Sequence, residues 1–489
     1  MADNGITPRA KDYSQWYLDV IQAAELCDYS PVKGSMVLRP HGFAVWDLMK
    51  GELDQRFKDT GHVNAYFPLL IPVSFLSKEA EHVEGFAKEC AVVTHHRLRA
   101  AEGGGVEPDP TARLEEPLVI RPTSETIIWH MYGKWIQSHR DLPILINQWA
   151  NIVRWEMKTR PFLRTAEFLW QEGHTAHATA AEAVDETKKM LGVYAEFAET
   201  ILACPVIPGV KSASERFAGA VDTMCIEAMM QNGWALQAGT SHFLGQNFAK
   251  AFDVTFTGES GVREHVWATS WGVSTRLVGA VIMTHSDDTG LVLPPAIAPI
   301  QVVITPIWKG EGEKAAVVAF AEQVAAALKG LRVKVDARDQ LKPGAKYFEW
   351  ERKGVPLRLE IGPRDVAQNS VFAAPRTGGG KFGIPVGDGL RAAVDAKLAE
   401  IQATLLARAR ERMAARTFRV QSYDEFKARL DEGGFFLVNW RDDAEAEAKI
   451  KEETKATIRC YPLDGQAPDG PCFYSGRPAT HVALFARAY

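Results

Sequence analysis

The stretch Asn151 to Thr175, NIVRWEMKTRPFLRTAEFLWQEGHT, carries the densest set of side chains that could do chemistry. Side chains alternate across a strand, so Arg154 and Glu156 are expected on one face. Phe168, Trp170 and Glu172 repeat that alternation on a second strand after a basic loop. Two antiparallel strands so arranged would turn a cation, carboxylates and aromatic rings into one cavity. A solvated face with ordinary salt bridges accounts for any single pair. It does not account for the apolar neighbours Ile152, Val153, Phe162, Leu163 and Leu169, which argue for a largely buried sheet.

The flanking sequence must hold these strands in place. WDLMKGELDQRFKDTG puts Trp46, Leu48, Met49, Leu53 and Phe57 at helical spacing, with Gly61 as the stop. AYFPLLIPVSFL then reads as a strand, and Pro68 and Pro72 assign it to an edge or an interface. EGGGVEPDP is a turn-rich loop. From Ala181 to Ala203, Val184, Leu191, Tyr194, Ala198, Ile201 and Leu202 form one apolar stripe of a core-facing helix. The prolines of LVLPPAIAPIQVVITPI mark a domain boundary. Strand and helix alternate beyond it through LRVKVDA and PLRLEIG, which predicts a small α/β domain with a largely parallel sheet. An Arg-rich helix from Ala392 to Thr417 and a mixed segment to Tyr489 follow.

At 489 residues the chain exceeds what one hydrophobic core fills, so two to four domains are expected. With 46% hydrophobic and 24% charged residues, the composition excludes disordered and fibrous classes. Six scattered cysteines fit a reduced compartment, and the absence of a long apolar run predicts a cytoplasmic protein. The net charge of -5 provides no global basic field, so any nucleic-acid contact must come from local patches.

R-x-E, a loop and R-x-x-x-F, here Arg154, Glu156, Arg164 and Phe168, resemble motif 2 of class II aminoacyl-tRNA synthetases. SWGVSTRLVGA, with Ser270, Gly272 and Arg276, resembles motif 3, and Gly42 to Pro72 resembles the dimer-forming motif 1. RPTSETIIW, FLWQEGHTAH and QAGTSHFLGQNF narrow the resemblance to the prolyl-tRNA synthetases, in their archaeal/eukaryote-like form, over nearly the whole chain. The fold this implies is α/β in the broad sense. It comprises an α+β class II catalytic core with an antiparallel sheet (1–295), an α/β anticodon-binding domain (296–395) and a small α+β C-terminal domain (396–489).

The resemblance implies a proline–tRNA ligase with L-proline, ATP, Mg2+ and tRNA(Pro) as ligands, working as a homodimer. It places proline near Thr123, Glu125, Arg154, Trp170, Glu172, His174, His242 and Ser270, and ATP near Arg154, Glu156, Arg164, Thr165, Phe168, Gln237, Thr240 and Arg276. Proline's carboxylate is already ionised, so attack on the α-phosphorus needs positioning and charge stabilisation, not a base. Arg154, Glu156 and Arg276 are the expected catalytic set: Arg154 bridging carboxylate and α-phosphate, Arg276 stacking adenine against Phe168, and Glu156 with Gln237 meeting magnesium. Arg164 would hold the γ-phosphate, and Trp170 and Phe248 would wall the proline ring. Such a pocket admits smaller side chains, since each missing methylene is worth only ~1 to 3 kcal/mol. About a hundred residues separate Glu172 from Ser270, too few for the editing insertion of bacterial-type relatives.

In the second domain, nine basic against six acidic residues from Leu331 to Val366 make Phe348, Glu351, Arg352 and Lys353 candidate anticodon contacts, with an ordinary solvated helix equally open. The family's four zinc cysteines are not matched. RDDAEAEAKIKEET follows Trp440 without cysteine, and CFYS offers only Cys472, so no structural zinc is expected. The final Ala-Tyr resembles the family ending, in which the last tyrosine's carboxylate approaches the active site. Three other readings stand beside this one. The first is another class IIa synthetase, for threonine, glycine or histidine; the zinc set of one cysteine and two histidines that threonyl enzymes use does not occur among the motif words. A non-catalytic paralogue would be expected to lack the ATP arginines that Arg154, Arg164 and Arg276 supply, and a tRNA-binding structural module would leave the intact ATP motifs unexplained.

Overall fold

The computed structural model describes residues 5–76 and 89–489. Its backbone is an eleven-stranded, mostly antiparallel sheet. From one edge run Val63–Asn64, Ile144–Val153, Glu167–His177, Trp267–Ser274, Ala235–Gly245, Asp222–Met229 and Val206–Val210. The sheet then continues through Ala456–Pro462, His481–Arg487, Phe435–Trp440 and Thr417–Val420. The last segment of the chain therefore does not form a separate sheet. It extends the catalytic one, joined where Gly209 pairs with Pro462 and Val210 with Tyr461.

One face of the central strands is covered by helices. Ala180–Thr200 starts with a capping box, Thr179 accepting from the Glu182 N–H and Glu182 reaching back to the Thr179 N–H. It buries Met190, Leu191, Tyr194, Phe197 and Ala198 against the sheet, where the Tyr194 hydroxyl donates to Gln171 at 2.5 Å. Pro40–Asp59 packs Phe57 on Trp271 and Tyr194, and Arg276–His285 is buried from Leu277 to Thr284. The expected helices are thus present within a few residues of their predicted ends. Leu70–Pro72 is an edge strand of a separate three-stranded sheet, as its prolines require. EGGGVEPDP differs from the expected plain loop. Its glycines turn a small hairpin between Leu98–Ala100 and Val106–Pro108, with Gly104 and Gly105 at positive φ.

The second domain's sheet is mixed. Val333–Val335, Val302–Pro306 and Leu357–Ile361 are parallel, as the strand and helix alternation predicts, but Ser370–Pro375 and Phe382–Pro385 then add antiparallel. They lie beyond the alternating stretch, where short connections permit hairpins only. None of the six cysteines is disulfide-bonded, and five are buried. No helix among the described residues is long and apolar enough to cross a membrane.

The entry of Pro40–Asp59 rests on Gly42, where a Cβ would lie 2.1 Å from the Leu26 carbonyl oxygen. Gly42→Ala must push the helix off that backbone. It should cost about 1–3 kcal/mol, as overpacking does, and lower the thermal midpoint. An unchanged midpoint would show that the helix can shift freely.

Candidate active site

Strand register builds the site. Glu167–His177 lies between Ile144–Val153 and Trp267–Ser274, with Trp170 opposite Ser274, Glu172 opposite Gly272 and His174 opposite Ser270. In the next strand Thr240 faces Gly272 and His242 faces Ser270. Alternation thus carries Phe168, Trp170, Glu172 and His174, with Ser270, Gly272, Ser274, Thr240 and His242, to the face opposite the helices. Together with Thr123, Glu125, Arg154, Gln237 and Arg276 they line a cavity of about 300 Å³. Gly173, on the other face, leaves room for Trp271: a Cβ there would fall 2.1 Å from the indole.

The acidic side of the cavity is anchored by its own hydrogen bonds. Glu125 opens the helix Glu125–Trp135 and accepts from the Thr123 hydroxyl. Glu172, 2% exposed, accepts from Ser124 at 2.5 Å, Gln148 at 2.7 Å and His174 Nε2 at 2.9 Å. Burial alone would raise its carboxyl, but the His174 bond and charge outweigh it and hold the group below the usual range. Burial likewise pulls His174 down, yet Glu172 and Glu125 raise it overall. His242 is different. Burial lowers it to about 4, Glu125 opposing, so it is a neutral ring at pH 7. His174 Nδ1, Ser270 Oγ and the Trp170 indole N–H are buried without a hydrogen-bond partner among the described residues. Such atoms are rare in a native interior unless a ligand or water meets them.

The cationic side is supplied by Arg154 and Arg276. Burial brings Arg154 down to about 10, with Glu125 opposing, and it remains a cation at neutral pH. Its Nε donates to the Pro122 carbonyl at 2.9 Å, and its guanidinium lies over Phe168 and Trp170 at 5.6 and 5.4 Å. Arg276, also lowered by burial, donates from Nε to Leu163 at 3.1 Å.

Several sequence-derived positions differ. The strand ends at Val153, so Glu156 leaves the sheet and does not share a strand face with Arg154. It forms an ion pair with Arg164, whose side chain is 63% exposed, and neither lines the cavity. Thr165 lines a second, adjoining cavity of about 180 Å³ that shares Phe168 with the first. Phe248 is not a cavity wall. It is 2% exposed in the apolar core beside Trp129, where the turn after Gly245 packs it with Ile128, Ala176 and Ala268. Phe217, which sequence reasoning missed, takes that place, stacked on His242 at 4.5 Å. Lys211, Glu215 and Arg216 were missed with it. They stand on a connection between strands, and only the fold brings it over the cavity. Tyr489 does not line the cavity either. Its hydroxyl accepts from Asn232 at 2.8 Å, and its ring lies 5.2 Å from the Arg160 guanidinium in the loop between the two chemistry-bearing strands.

On the second domain's helix Pro343–Arg352, Phe348 is 39% exposed under the Arg352 guanidinium at 4.1 Å, and Glu351 accepts from Arg358 at 2.9 Å. Lys353 turns toward the catalytic domain and pairs with Glu25 at 2.7 Å.

The cleft gathers Arg154 just past the end of its strand, buried carboxylates and aromatic rings over an antiparallel sheet, and Arg276 opens the buried helix that follows; this is the arrangement of a class II aminoacyl-tRNA synthetase core. Residues 106–285 match the family described as tRNA synthetase class II core domain (G, H, P, S and T), and 301–395 match the anticodon binding domain. Residues 423–489 match the C-terminal domain of prolyl-tRNA synthetase. Curated proline–tRNA ligases from Porphyromonas gingivalis and Salinibacter ruber are 59% and 56% identical to the chain, covering 99% and 100% of both partners. A crystal structure of prolyl-tRNA synthetase from Cryptosporidium parvum complexed with halofuginone and AMPPNP is 40% identical, with a TM-score of 0.92 over 99% of this chain and 100% of that one. The same enzyme complexed with L-proline and AMP gives 0.90 at 39% identity, over 99% and 97%. The chain belongs to the prolyl-tRNA synthetases, the proline–tRNA ligases of class II.

The His174–Glu172 pair has a pH signature. His174 has a raised folded pKa, so its contribution is complete below the unfolded value near ~6.5 and is lost as pH rises through the folded value. The gap in thermal midpoint between wild type and His174→Gln should therefore be widest below about pH 6.5 and narrow as the pH rises above it. A gap independent of pH would show that the pair is not ionic.

Proposed function

We propose that this cavity activates L-proline with ATP to prolyl-adenylate, releases pyrophosphate, and passes the prolyl group to the 3′ end of tRNA(Pro). The observation that carries the reading is the union of Glu125 and Glu172 with Arg154 and Arg276 around one aromatic-walled cavity. The carboxylates suit a secondary ammonium and the guanidiniums suit a carboxylate and phosphates.

Proline would sit among Thr123, Glu125, Trp170, His174, His242 and Ser270. Glu172, already holding three donors, would mainly fix His174 and Ser124. The buried atoms Ser270 Oγ and His174 Nδ1 would gain partners from the bound amino acid. Arg154 would bridge the proline carboxylate and the α-phosphate, with Phe168 and Arg276 on the two faces of adenine and Thr240, Thr165 and Gln237 near the nucleotide. Arg164 would reach the γ-phosphate by releasing Glu156, an inexpensive exchange because an exposed ion pair is worth only ~0–1 kcal/mol.

Among the described residues no group of three or more His, Cys, Asp or Glu could hold a metal. Gln237 alone of the two expected ligands faces the cavity. That donor set suits magnesium carried chiefly by ATP's own phosphates, where it would neutralise their charge. No structural zinc belongs to this reading: Cys472 packs with Phe473, Trp440 and Phe485 in an apolar core that holds the last domain.

A homodimer is favoured by the exposed apolar side chains Tyr29, Val32, Val37, Phe43, Val63 and Tyr66, and by Val63–Asn64 standing at the edge of the large sheet. Phe348, Glu351 and Arg352 remain candidate anticodon contacts, whereas Lys353 serves the domain junction. The domain divisions 1–295, 296–395 and 396–489, a cytoplasmic location and the archaeal/eukaryote-like subtype without an editing insertion complete the reading. The short connection between Glu172 and Ser270 supports the subtype.

The test is proline-dependent exchange of pyrophosphate into ATP, with threonine, glycine, histidine, alanine and cysteine in parallel. Exchange should be strongest with proline, and Arg154→Ala should lose roughly a hundredfold or more, ~3 kcal/mol, as for removal of one charge-stabilising donor. A folded chain that exchanges with no amino acid would sink the assignment.

A further inference from the structure

The cavity wall from Lys211 to Phe217 is held from outside the catalytic domain. This segment follows the strand Val206–Val210 and includes the short turn Ala213–Glu215, so it has little regular structure of its own. Yet Phe217 forms an aromatic face of the cavity, stacked on His242 with ring centroids 4.5 Å apart and planes 29° from parallel. The Phe217 N–H donates to Thr223 Oγ1 at 3.1 Å, and Thr223 Oγ1 lies 3.0 Å from His242 Nδ1. The threonine hydroxyl, with one donor and two acceptor sites, thus joins the Phe217 backbone to the His242 ring.

The groups that fasten this segment belong to the last domain. Glu447, on the helix Ala444–Thr454 and 6% exposed, accepts from Ser212 Oγ on one carboxylate oxygen at 2.9 Å and from Ser214 Oγ on the other at 2.6 Å. Both hydroxyls thus converge on one carboxylate. Arg459 reaches Glu227 from the same domain, Nε to Oε2 at 3.1 Å and Nη2 to Oε1 at 3.1 Å. Glu227, fully buried, holds Lys211 Nζ at 3.0 Å. A buried carboxylate with two cations tolerates the loss of either partner poorly.

We propose that Glu447 is a positioning residue for amino-acid binding. Through Ser212 and Ser214 it holds the segment that presses Phe217 onto His242, and Arg459 fastens the segment's root through Glu227 and Lys211. The last domain, which contributes no residue to the cavity lining, thereby shapes the proline pocket at second hand. The inference rests on the assignment of this cavity to proline.

The test uses proline-dependent pyrophosphate exchange with the full chain. Exchange by wild type comes first, and its absence would remove the proline assignment and the inference with it. Given exchange, Glu447→Ala should raise the KM for proline about tenfold, as loss of a ~1.4 kcal/mol constraint does. kcat and the KM for ATP should stay within about twofold, since the nucleotide contacts lie elsewhere. Ser212→Ala/Ser214→Ala should do the same from the other side, and the combined variant should do no more, because all three changes break one link. Glu447→Gln, which retains one acceptor oxygen, should fall between. Simple damage to the fold would lower kcat through loss of active enzyme and leave the KM for proline where it was. That outcome, an unchanged proline KM, or additive effects in the combined variant would each overturn the proposal. Should Glu447→Ala fail to fold, Ser214→Ala alone, a single-atom deletion, carries the same expectation in direction.

Discussion

The register of three neighbouring strands governs everything else in this molecule. Glu167–His177, Trp267–Ser274 and Ala235–Gly245 must pair so that Glu172, Gly272 and Thr240 fall in one row and His174, Ser270 and His242 in the next. Because the side-chain period is two, a slip of one residue would send those groups into the helices and bring Gln171, Trp271 and Ser241 to the cavity. The helical side prevents the slip. Tyr194 bonds Gln171, Ser241 bonds the Thr187 carbonyl, and Trp271 fits only over Gly173. The apolar and polar contacts behind the sheet thus select which chemistry appears in front of it.

Electrostatics then sorts groups that look alike in one dimension. Two histidines lie on the strands that flank Trp267–Ser274, both opposite Ser270, but His174 has a buried carboxylate at 2.9 Å and His242 has a threonine hydroxyl. One is raised and the other lowered, with burial pulling on both. Glu172 spends both oxygens on protein donors. A cavity that sets one histidine against a carboxylate and keeps the other neutral offers a bound amino acid two different polar edges at once.

The continuity of the large sheet into the last domain changes what that domain is for. Its strands meet the catalytic sheet at two ladder pairs, with a further bridge between Ala488 and Ala235, so side chains must do much of the joining. The ion network of Lys211, Glu227 and Arg459 and the Glu447 bonds lie at this junction, together with the close approach of Gly209 to Cys460. An apolar core of Phe426, Phe436, Trp440, Phe473 and Phe485 keeps the domain rigid enough for those links to act on the cavity wall.

By itself the sequence determined the parts whose information is local. Apolar periodicity marked the helices at Pro40–Asp59 and Ala180–Thr200, proline placed Leu70–Pro72 at an edge, and alternation put Phe168, Trp170, Glu172 and His174 on one face. The resemblance gave binding roles to twelve of the cavity's lining residues, Thr123, Glu125, Arg154, Phe168, Trp170, Glu172, His174, Gln237, Thr240, His242, Ser270 and Arg276. Tertiary structure alone decided what depends on where the chain turns. Glu156 left the strand to pair with Arg164, Phe248 went into the core, and Phe217 came to stack on His242. It also decided that residues more than two hundred positions apart, Ser212 and Glu447, should share a hydrogen bond. Neither has a periodicity or a neighbour that marks it, because a contact between an irregular connection and a distant helix is written in the geometry of the whole sheet and in no local pattern.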